Sequence, residues 1–164
     1  VDMADSRLFI EYSNEAAAYD NVNPLPFNPS QASTNTDWLD AITRSGSQQN
    51  HTLTINGGSD KATYLMSAGY FEEEGILNTN DYRRLNVRLN NTYQLTDFIK
   101  VGNNLNVSNY RSDNAPFSAF TTAYRQAPVV PVRDANGNYG FTTRNNVGNP
   151  IATLDNTNDR SWGT

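Results

Sequence analysis

Residues 82–110 read YRRLNVRLNNTYQLTDFIKVGNNLNVSNY, and this stretch decides the fold. On either side of Thr96-Asp97-Phe98, apolar side chains occupy most of the alternate positions and polar side chains fill the positions between them. A period of two residues is typical of strands with one apolar and one polar face. We therefore predict two antiparallel strands, about Tyr82 to Leu95 and about Ile99 to Tyr110, joined by a three-residue loop.

The register of this hairpin follows from the two interruptions of its apolar face. A three-residue loop pairs Leu95 with Ile99, and the same register carries along both strands. The further predicted pairs are Tyr93 with Val101, Asn91 with Asn103, Leu89 with Leu105, and Val87 with Val107. Because the two polar residues of this face then lie opposite one another, each strand supports the assignment of the other.

The regions around this hairpin divide the chain into three parts. Residues 1–49 are predicted as a loop and helix lead-in, residues 50–110 as four antiparallel strands, and residues 111–164 as a long connection. The two upstream strands are about His51 to Asn56 and about Ala62 to Phe71, with a turn at residues 57–60. Helices are predicted around Phe9 to Tyr19, at Asp37 to Ile42 with Thr36 as N-cap, and from Pro116 to Ala127. A small hairpin is predicted across Asn136-Gly137, between residues 129–132 and 139–142.

The lengths of the connections indicate a transmembrane barrel. They alternate between short and long, as in outer-membrane barrels with tight periplasmic turns and extended external loops. Ten strand residues tilted by about 45° rise roughly 23 Å, close to the roughly 25 Å apolar band of such barrels. Periodicity alone fits a soluble β-domain at least as well, because soluble sandwiches also alternate apolar and polar residues.

Aromatic residues gather at the predicted strand ends. One group lies near the short turns and a second group lies near the long loops. The residues are Tyr64, Tyr93 and Phe98 in the first group, and Tyr70, Phe71, Tyr82 and Tyr110 in the second. Two such groups are expected if aromatic girdles flank an apolar band. Since barrels need about eight strands or more and four are visible, the chain is expected to supply a piece of a barrel.

The composition excludes several classes of protein. The 164 residues include 12 Lys and Arg against 17 Asp and Glu, which argues against binding nucleic acid through a basic face. The absence of Cys excludes a disulfide scaffold or a thiolate zinc site, and one His makes a His-built metal centre or catalytic triad improbable. We therefore expect no metal and no cofactor. A transmembrane helix is not expected, because no run of 18 apolar residues is present.

Several segments in this order resemble the SusC/RagA-like TonB-dependent transporters of Bacteroidota. The matching segments are TDWLDAI (36–42), QNHTLTINGG (49–58), TYLMSAGY (63–70), EGIL (74–77), DYRRLNVRLN (81–90), KVGNNL (100–105) and NPIATL (149–154). The resemblance implies an all-β fold, an antiparallel transmembrane β-barrel segment that follows the plug. Its long extracellular loops would carry the short helices and the small hairpin.

The same resemblance implies a function and a set of partners. A protein of this family lies in the bacterial outer membrane and imports oligosaccharides or peptides, without covalent chemistry. A SusD-like surface lipoprotein would close over the external loops, and TonB would act through an N-terminal part that this sequence lacks. Dimers of SusC–SusD pairs are compatible with the resemblance. A soluble carbohydrate-binding β-domain and a fragment of a glycoside hydrolase are the alternatives.

Five residues are candidates for substrate binding. Arg84 and Arg88 would face the barrel lumen if the apolar side of their strand meets lipid, although a hydrated interior would carry the same residues. Trp38, Tyr124 and Arg125 lie in long connections, where aromatic rings can stack on sugars or anchor one loop to another.

Two further motifs receive structural interpretations. Asp134, Asn136 and Asn138 partly match a calcium loop, but Tyr139 stands where such loops need Gly, so a turn is the better account. The acidic run Glu72-Glu73-Glu74 has no facing acid and predicts a charged loop entrance rather than a hydrolase pair.

Overall fold

The computed structural model describes residues 3–143, 146–157 and 159–164. The chain forms two compact units: Ser45–Asn114 with Asp159–Thr164, and Val1–Arg44 with Ala115–Asn158. The first of these is a β-sheet, and the second contains the helices. We call them the sheet unit and the helical unit. Among the described residues, no helix combines the length and the apolar character needed to cross a membrane.

The sheet unit is a five-stranded antiparallel meander in which each strand pairs with the next along the chain. Its strands are β1 (Ser47–Ser59), β2 (Ala62–Glu74), β3 (Asp81–Thr96), β4 (Ile99–Asn114) and β5 (Asp159–Gly163). The four predicted strands are present, and most of them extend beyond their predicted ends. The fifth strand, β5, was not predicted, because its sequence DRSWG is short and mostly polar.

The register predicted for the central hairpin is confirmed over most of its length. Tyr93 pairs with Val101, Asn91 with Asn103, Leu89 with Leu105, and Val87 with Val107. The prediction is wrong at the turn. Thr96 pairs with Ile99, and the register shifts between Gln94 and Thr96, so Asp97 and Phe98 alone form the connection. An irregularity of this kind absorbs one residue without disturbing the pairing further along the strands.

The predicted turn at residues 57–60 is also displaced. β1 continues through Gly57 and Gly58 to Ser59, which pairs with Ala62, and the turn is Asp60-Lys61. Gly57 lies opposite Tyr64, and a Cβ at Gly57 would stand 2.5 Å from the Tyr64 hydroxyl oxygen. The glycine therefore lies inside the strand because the tyrosine ring covers it, rather than because the chain turns there.

The sheet separates apolar from polar side chains across its whole width. Paired residues on adjacent strands form rows, and alternate rows at the centre of the sheet carry most of the apolar side chains, with Asn91 and Asn103 as polar exceptions. The two central apolar rows are Leu53, Ala68, Val87 and Val107, and Ile55, Met66, Leu89 and Leu105. Leu53 keeps 67% of its surface exposed, and most of the neighbouring large side chains are also exposed. In a soluble sandwich such rows are buried beneath a second layer, whereas on the lipid face of a transmembrane barrel they stay exposed on the sheet.

The predicted aromatic girdles are only partly correct. Tyr64, Tyr93 and Tyr70 lie on the apolar face, as a girdle requires. Phe71, Tyr82 and Tyr110 lie on the polar face instead, because each stands an odd number of residues from the apolar positions of its strand. Proximity to a strand end does not determine the face of a sheet on which a side chain lies.

The helical unit contains four α-helices and one 3₁₀ helix among its described residues. These are α1 (Ser6–Tyr19), the 3₁₀ helix Pro29–Ser33, α2 (Trp38–Ile42), α3 (Ser118–Arg125) and α4 (Pro150–Asn156). Its core is formed by apolar side chains from the helices and from the segments that connect them. They are Ile10, Phe27, Trp38, Ile42, Ala119, Ala123, Ala127, Val129, Val130, Val147 and Leu154. Buried Asn149 accepts N–H bonds from Ile151 and Ala152 and so caps α4.

Two local predictions in the helical unit are corrected. Asp37, rather than Thr36, caps α2, because its carboxylate accepts the N–H groups of Leu39 and Asp40. The hairpin across Asn136-Gly137 shortens to a single bridge between Arg133 and Tyr139. The apolar residues 129–130 on its first side are buried in the core rather than paired in a ladder.

Candidate functional site

The polar face of the sheet combines arginine, amide and hydroxyl side chains over four strands. Two rows occupy its centre. They are Thr52, Gly69, Asn86 and Ser108, and Thr54, Ser67, Arg88 and Asn106. Both predicted arginines, Arg84 and Arg88, lie on this face and are exposed. These two rows offer many hydrogen bonds to a hydrated ligand and little of the apolar area that lipid requires.

Arg88 is positioned by a chain of amides. The Asn90 side chain, oriented so that its oxygen faces Arg88, accepts from Arg88 Nε at 3.0 Å and from Nη2 at 3.1 Å. The Asn90 nitrogen then donates to Asn104 Oδ1 at 2.7 Å, which links β3 to β4. Within the described residues, neither Arg84 nor Arg88 forms a salt bridge. Their positive charges are therefore available to a ligand or to another polar group.

Arg84 lies among aromatic rings at the end of the sheet that carries the long connections. Its guanidinium carbon is 5.7 Å from the centroid of the Phe71 ring. Phe71 meets Tyr82 edge to face at 5.9 Å, and Tyr82 and Tyr110 are stacked at 6.2 Å with their planes 24° apart. These three aromatic residues were not among the predicted site residues. Strand parity could have placed Tyr82 on the face of Arg84, since positions 82 and 84 of one strand share a face, whereas Phe71 and Tyr110 depend on the register between strands.

The opposite face changes from apolar to charged beyond the Tyr70 and Leu85 row. The next rows contain an ion pair between Arg83 and Glu72, with Nε and Oε1 2.7 Å apart. They also contain Asp113, which binds Arg111 on its own strand and Arg160 on β5. The apolar band therefore ends at this row. The predicted charged entrance at Glu72-Glu73-Glu74 fits this arrangement, and Glu73 lies on the polar face with Tyr82.

The candidates in the long connections have different surroundings. Trp38 is only 2% exposed, and its indole N–H donates to the carbonyl oxygen of Ala127 at 3.0 Å. This burial places Trp38 in the core of the helical unit, where it joins α2 to the segment after α3. Tyr124 and Arg125 are exposed at the end of α3. The structure therefore does not bring Trp38 onto a surface with Tyr124 and Arg125.

The partial calcium motif forms the predicted turn. Asp134 Oδ1 accepts the backbone N–H groups of Asn136 and Asn138, each at 2.9 Å. These hydrogen bonds, chiefly that of Asn138, hold the pKa of the Asp134 carboxyl below its ordinary value. Gly137 adopts a φ of +83°, a left-handed conformation that suits glycine. The side chain of Asp134 thus serves the turn itself.

The geometry defines a class of protein. An antiparallel sheet with an exposed apolar band on one face and a polar face on the other is the arrangement of a transmembrane β-barrel wall. The long connections lie at one end of the strands, and the two-residue turns lie at the other.

Comparisons with known proteins agree with this class. TonB-dependent receptor P26 of Formosa agariphila is 32% identical over 155 residues, which is 92% of this chain and 16% of the receptor. TonB-dependent receptor SusC of Bacteroides thetaiotaomicron is 32% identical over 66% of this chain and 11% of its own length. Among solved structures, that of the RagAB peptide transporter matches with a TM-score of 0.46 and 24% identity, over 63% of this chain and 12% of that one. No family model matches.

The chain belongs to the SusC-like TonB-dependent receptors. It spans less than one fifth of the length of the curated relatives it matches, 16% of the receptor P26. TonB-dependent receptors such as SusC are outer-membrane proteins, so the chain is part of an outer-membrane protein. Its five strands are a segment of the barrel wall.

Proposed function

We propose that this chain forms part of the wall of an outer-membrane transporter that imports oligosaccharides or peptides. The observation that carries the proposal is the division of the sheet into two faces. Exposed Leu53 and Ile55 suit a lipid environment, and Arg84 and Arg88 on the opposite face suit water or polar protein. Nutrients larger than a porin admits need such a hydrated interior together with an energy supply.

The energy supply and the partner follow from the family. We infer that TonB drives import through a part of the receptor outside this sequence, and that a SusD-like surface lipoprotein covers the external loops. Dimers of such receptor–lipoprotein pairs are part of the same proposal. The described residues of the helical unit include exposed side chains, among them Tyr12 and Tyr124, that are available to such a partner. The relatives are TonB-dependent receptors and give no support to the alternative of a glycoside hydrolase fragment.

Deletion of the full receptor gene in its native bacterium tests the transport proposal. The deletion strain is compared with its complemented strain during growth on monosaccharides, on oligosaccharides of graded length, and on peptides. We expect growth to fail on one polymer class above porin size and to persist on the monomers. Unchanged growth of the deletion strain on every oligomer would contradict import by this receptor.

Purification of the tagged full receptor from outer membranes tests the partner. Mass spectrometry of the complex should identify one surface lipoprotein in a near-equal amount, and the mass of the complex reports whether pairs associate further. Recovery of the receptor alone under mild detergent would contradict the pairing.

Expression of residues 1–164 alone separates the transporter from a soluble carbohydrate-binding domain. A barrel segment with an exposed apolar face should aggregate without detergent. A monomeric, cooperatively unfolding product in plain buffer would favour the soluble domain instead.

A further inference from the structure

Three aromatic rings and one arginine gather on the polar face where β2, β3 and β4 approach the long connections. We propose that this group, Phe71, Tyr82, Arg84 and Tyr110, binds a sugar ring of the imported oligosaccharide. We call it the aromatic platform. The inference deepens the proposed function and rests on it, because it names a contact site on the barrel wall and the substrate class that the site accepts.

The platform joins three neighbouring strands. Phe71 on β2 pairs with Arg84 on β3, and Arg84 pairs with Tyr110 on β4, so these three side chains form one row. Tyr82 lies in the next row toward the long connections, with its ring centroid 5.9 Å from that of Phe71 and 6.2 Å from that of Tyr110. The Tyr82 and Tyr110 rings are stacked and the Phe71 ring meets Tyr82 edge to face, so the three rings form one contiguous group over β2, β3 and β4.

Tyr110 lies across the neighbouring strand. Tyr110 pairs with Gly163 on β5, and a Cβ at Gly163 would stand 2.6 Å from Tyr110 Cε1. The ring can occupy this place only because residue 163 has no side chain. The ring lies against the β5 backbone at Gly163, and 38% of the Tyr110 surface remains exposed. The planes of the Tyr82 and Tyr110 rings are inclined to each other by 24°.

The chemistry of this surface favours a carbohydrate. The exposed face of an aromatic ring accommodates the C–H face of a sugar ring, while the hydroxyl groups of the sugar need donors and acceptors beside it. Arg84 provides guanidinium donors, Asn50 lies in the same row as Phe71, and Ser112 lies in the row of Tyr82. Arg84 has no acidic partner among the residues that the structure describes, so its remaining donors can serve a ligand. Lipid is excluded, because the apolar band lies on the opposite face.

The test uses the purified full-length receptor and an array of defined neutral and uronate-containing oligosaccharides, with a peptide library as a second probe. The array glycan that the wild-type receptor binds most tightly is then titrated by calorimetry into the variants. Tyr82→Ala and Tyr110→Ala should each weaken binding roughly two- to tenfold. Tyr82→Phe and Tyr110→Phe should retain it, because the stacking surface remains. Tyr93→Ala is the matched control, since Tyr93 lies on β3 with Tyr82 but on the apolar face.

Each outcome decides the inference. Weaker glycan binding by both alanine variants, with normal binding by the phenylalanine variants and by Tyr93→Ala, supports the platform. Unchanged glycan affinity in both alanine variants overturns the platform and leaves the import proposal intact. The sugar assignment is overturned if the wild-type receptor binds peptides but no glycan of the array, and the alanine variants lose that peptide binding. A fall in thermal stability of the receptor at constant affinity assigns the rings to internal packing and also overturns it.

Discussion

Placing a charge in the middle of the apolar band should destabilise the receptor, and Leu105→Arg is the sharpest change. Leu105 is 48% exposed and lies in a row with Ile55, Met66 and Leu89. The row of Tyr70 lies at one end of the band and the row of Tyr93 at the other. Each is four residues, or about 13 Å along the strand, from the row of Leu105. Leu105 is therefore at the centre of the lipid-facing surface.

The expected magnitude follows from this position. An arginine at the midplane on the lipid face of a barrel costs about 2–4 kcal/mol, which lowers the ratio of folded to unfolded receptor roughly 30- to 900-fold. Ser108→Arg provides the matched control. Ser108 lies on the same strand but on the polar face, in the row with Asn86, where water or polar protein solvates the charge. We expect Ser108→Arg to change the stability by less than about 1 kcal/mol.

Equilibrium denaturation of the full receptor in lipid vesicles provides the measurement. The free energy of unfolding is obtained from the denaturant midpoint and slope for the wild type and both variants. Equal stability of Leu105→Arg and wild type would refute the assignment of this face to lipid. A loss of stability in Ser108→Arg as large as that in Leu105→Arg would refute the distinction between the faces.

Three other predictions concern the helical unit. Trp38→Ala should destabilise that unit by about 3–5 kcal/mol, because it opens a cavity and removes the hydrogen bond to Ala127. Tyr124→Ala, on the exposed surface, should change the stability by less than about 0.5 kcal/mol. Limited proteolysis of the full receptor measures both effects. Asn149→Ala should lower the stability of the unit by about 2–4 kcal/mol, because it removes the cap of α4 and the Nδ2 donor that lies 2.9 Å from the Val132 carbonyl oxygen and 3.1 Å from that of Gly140. Asn136→Ala, at an exposed position, is the control. Equal protease resistance of the two variants would contradict the prediction. The lowered pKa of Asp134 means that its carboxylate stabilises the turn fully above the unfolded pKa and loses this effect as the pH falls through the lower folded pKa. Hydrogen exchange at the Asn138 amide, corrected for the intrinsic rate, should therefore increase over that acid range in the wild type. The variant Asp134→Asn should show no such step.

The faces of the central strands could be predicted because the signal is local. Alternation along β3 and β4 assigns each side chain to a face, and the opposed Asn91 and Asn103 fix the pairing of the two strands. The turn could not be predicted at the same accuracy. A register shift between Gln94 and Thr96 changes only the last pair, and it leaves the alternation further along the strand unaltered.

The candidate site was only partly accessible from the sequence. Arg84 and Arg88 were found from the alternation alone, since they share the polar face of one strand. Trp38 was a candidate because tryptophan in a long connection can bind a sugar, and only its tertiary contacts with Ala127 show that it is buried. The aromatic partners of Arg84 come from β2 and β4, so their proximity depends on the register between strands.

The sequence by itself determined the class of this protein, because periodicity two, the pattern of connection lengths and the order of the matching segments are all properties of the linear chain. Only the tertiary structure decided that β5 joins the sheet, that Tyr110 lies over Gly163, and that Trp38 is a core residue. The physical reason is that these features join residues distant in sequence. The short strand Asp159–Gly163 forms because it pairs with the free edge of β4, and the local sequence of residues 159–163 does not show that this edge lies beside it.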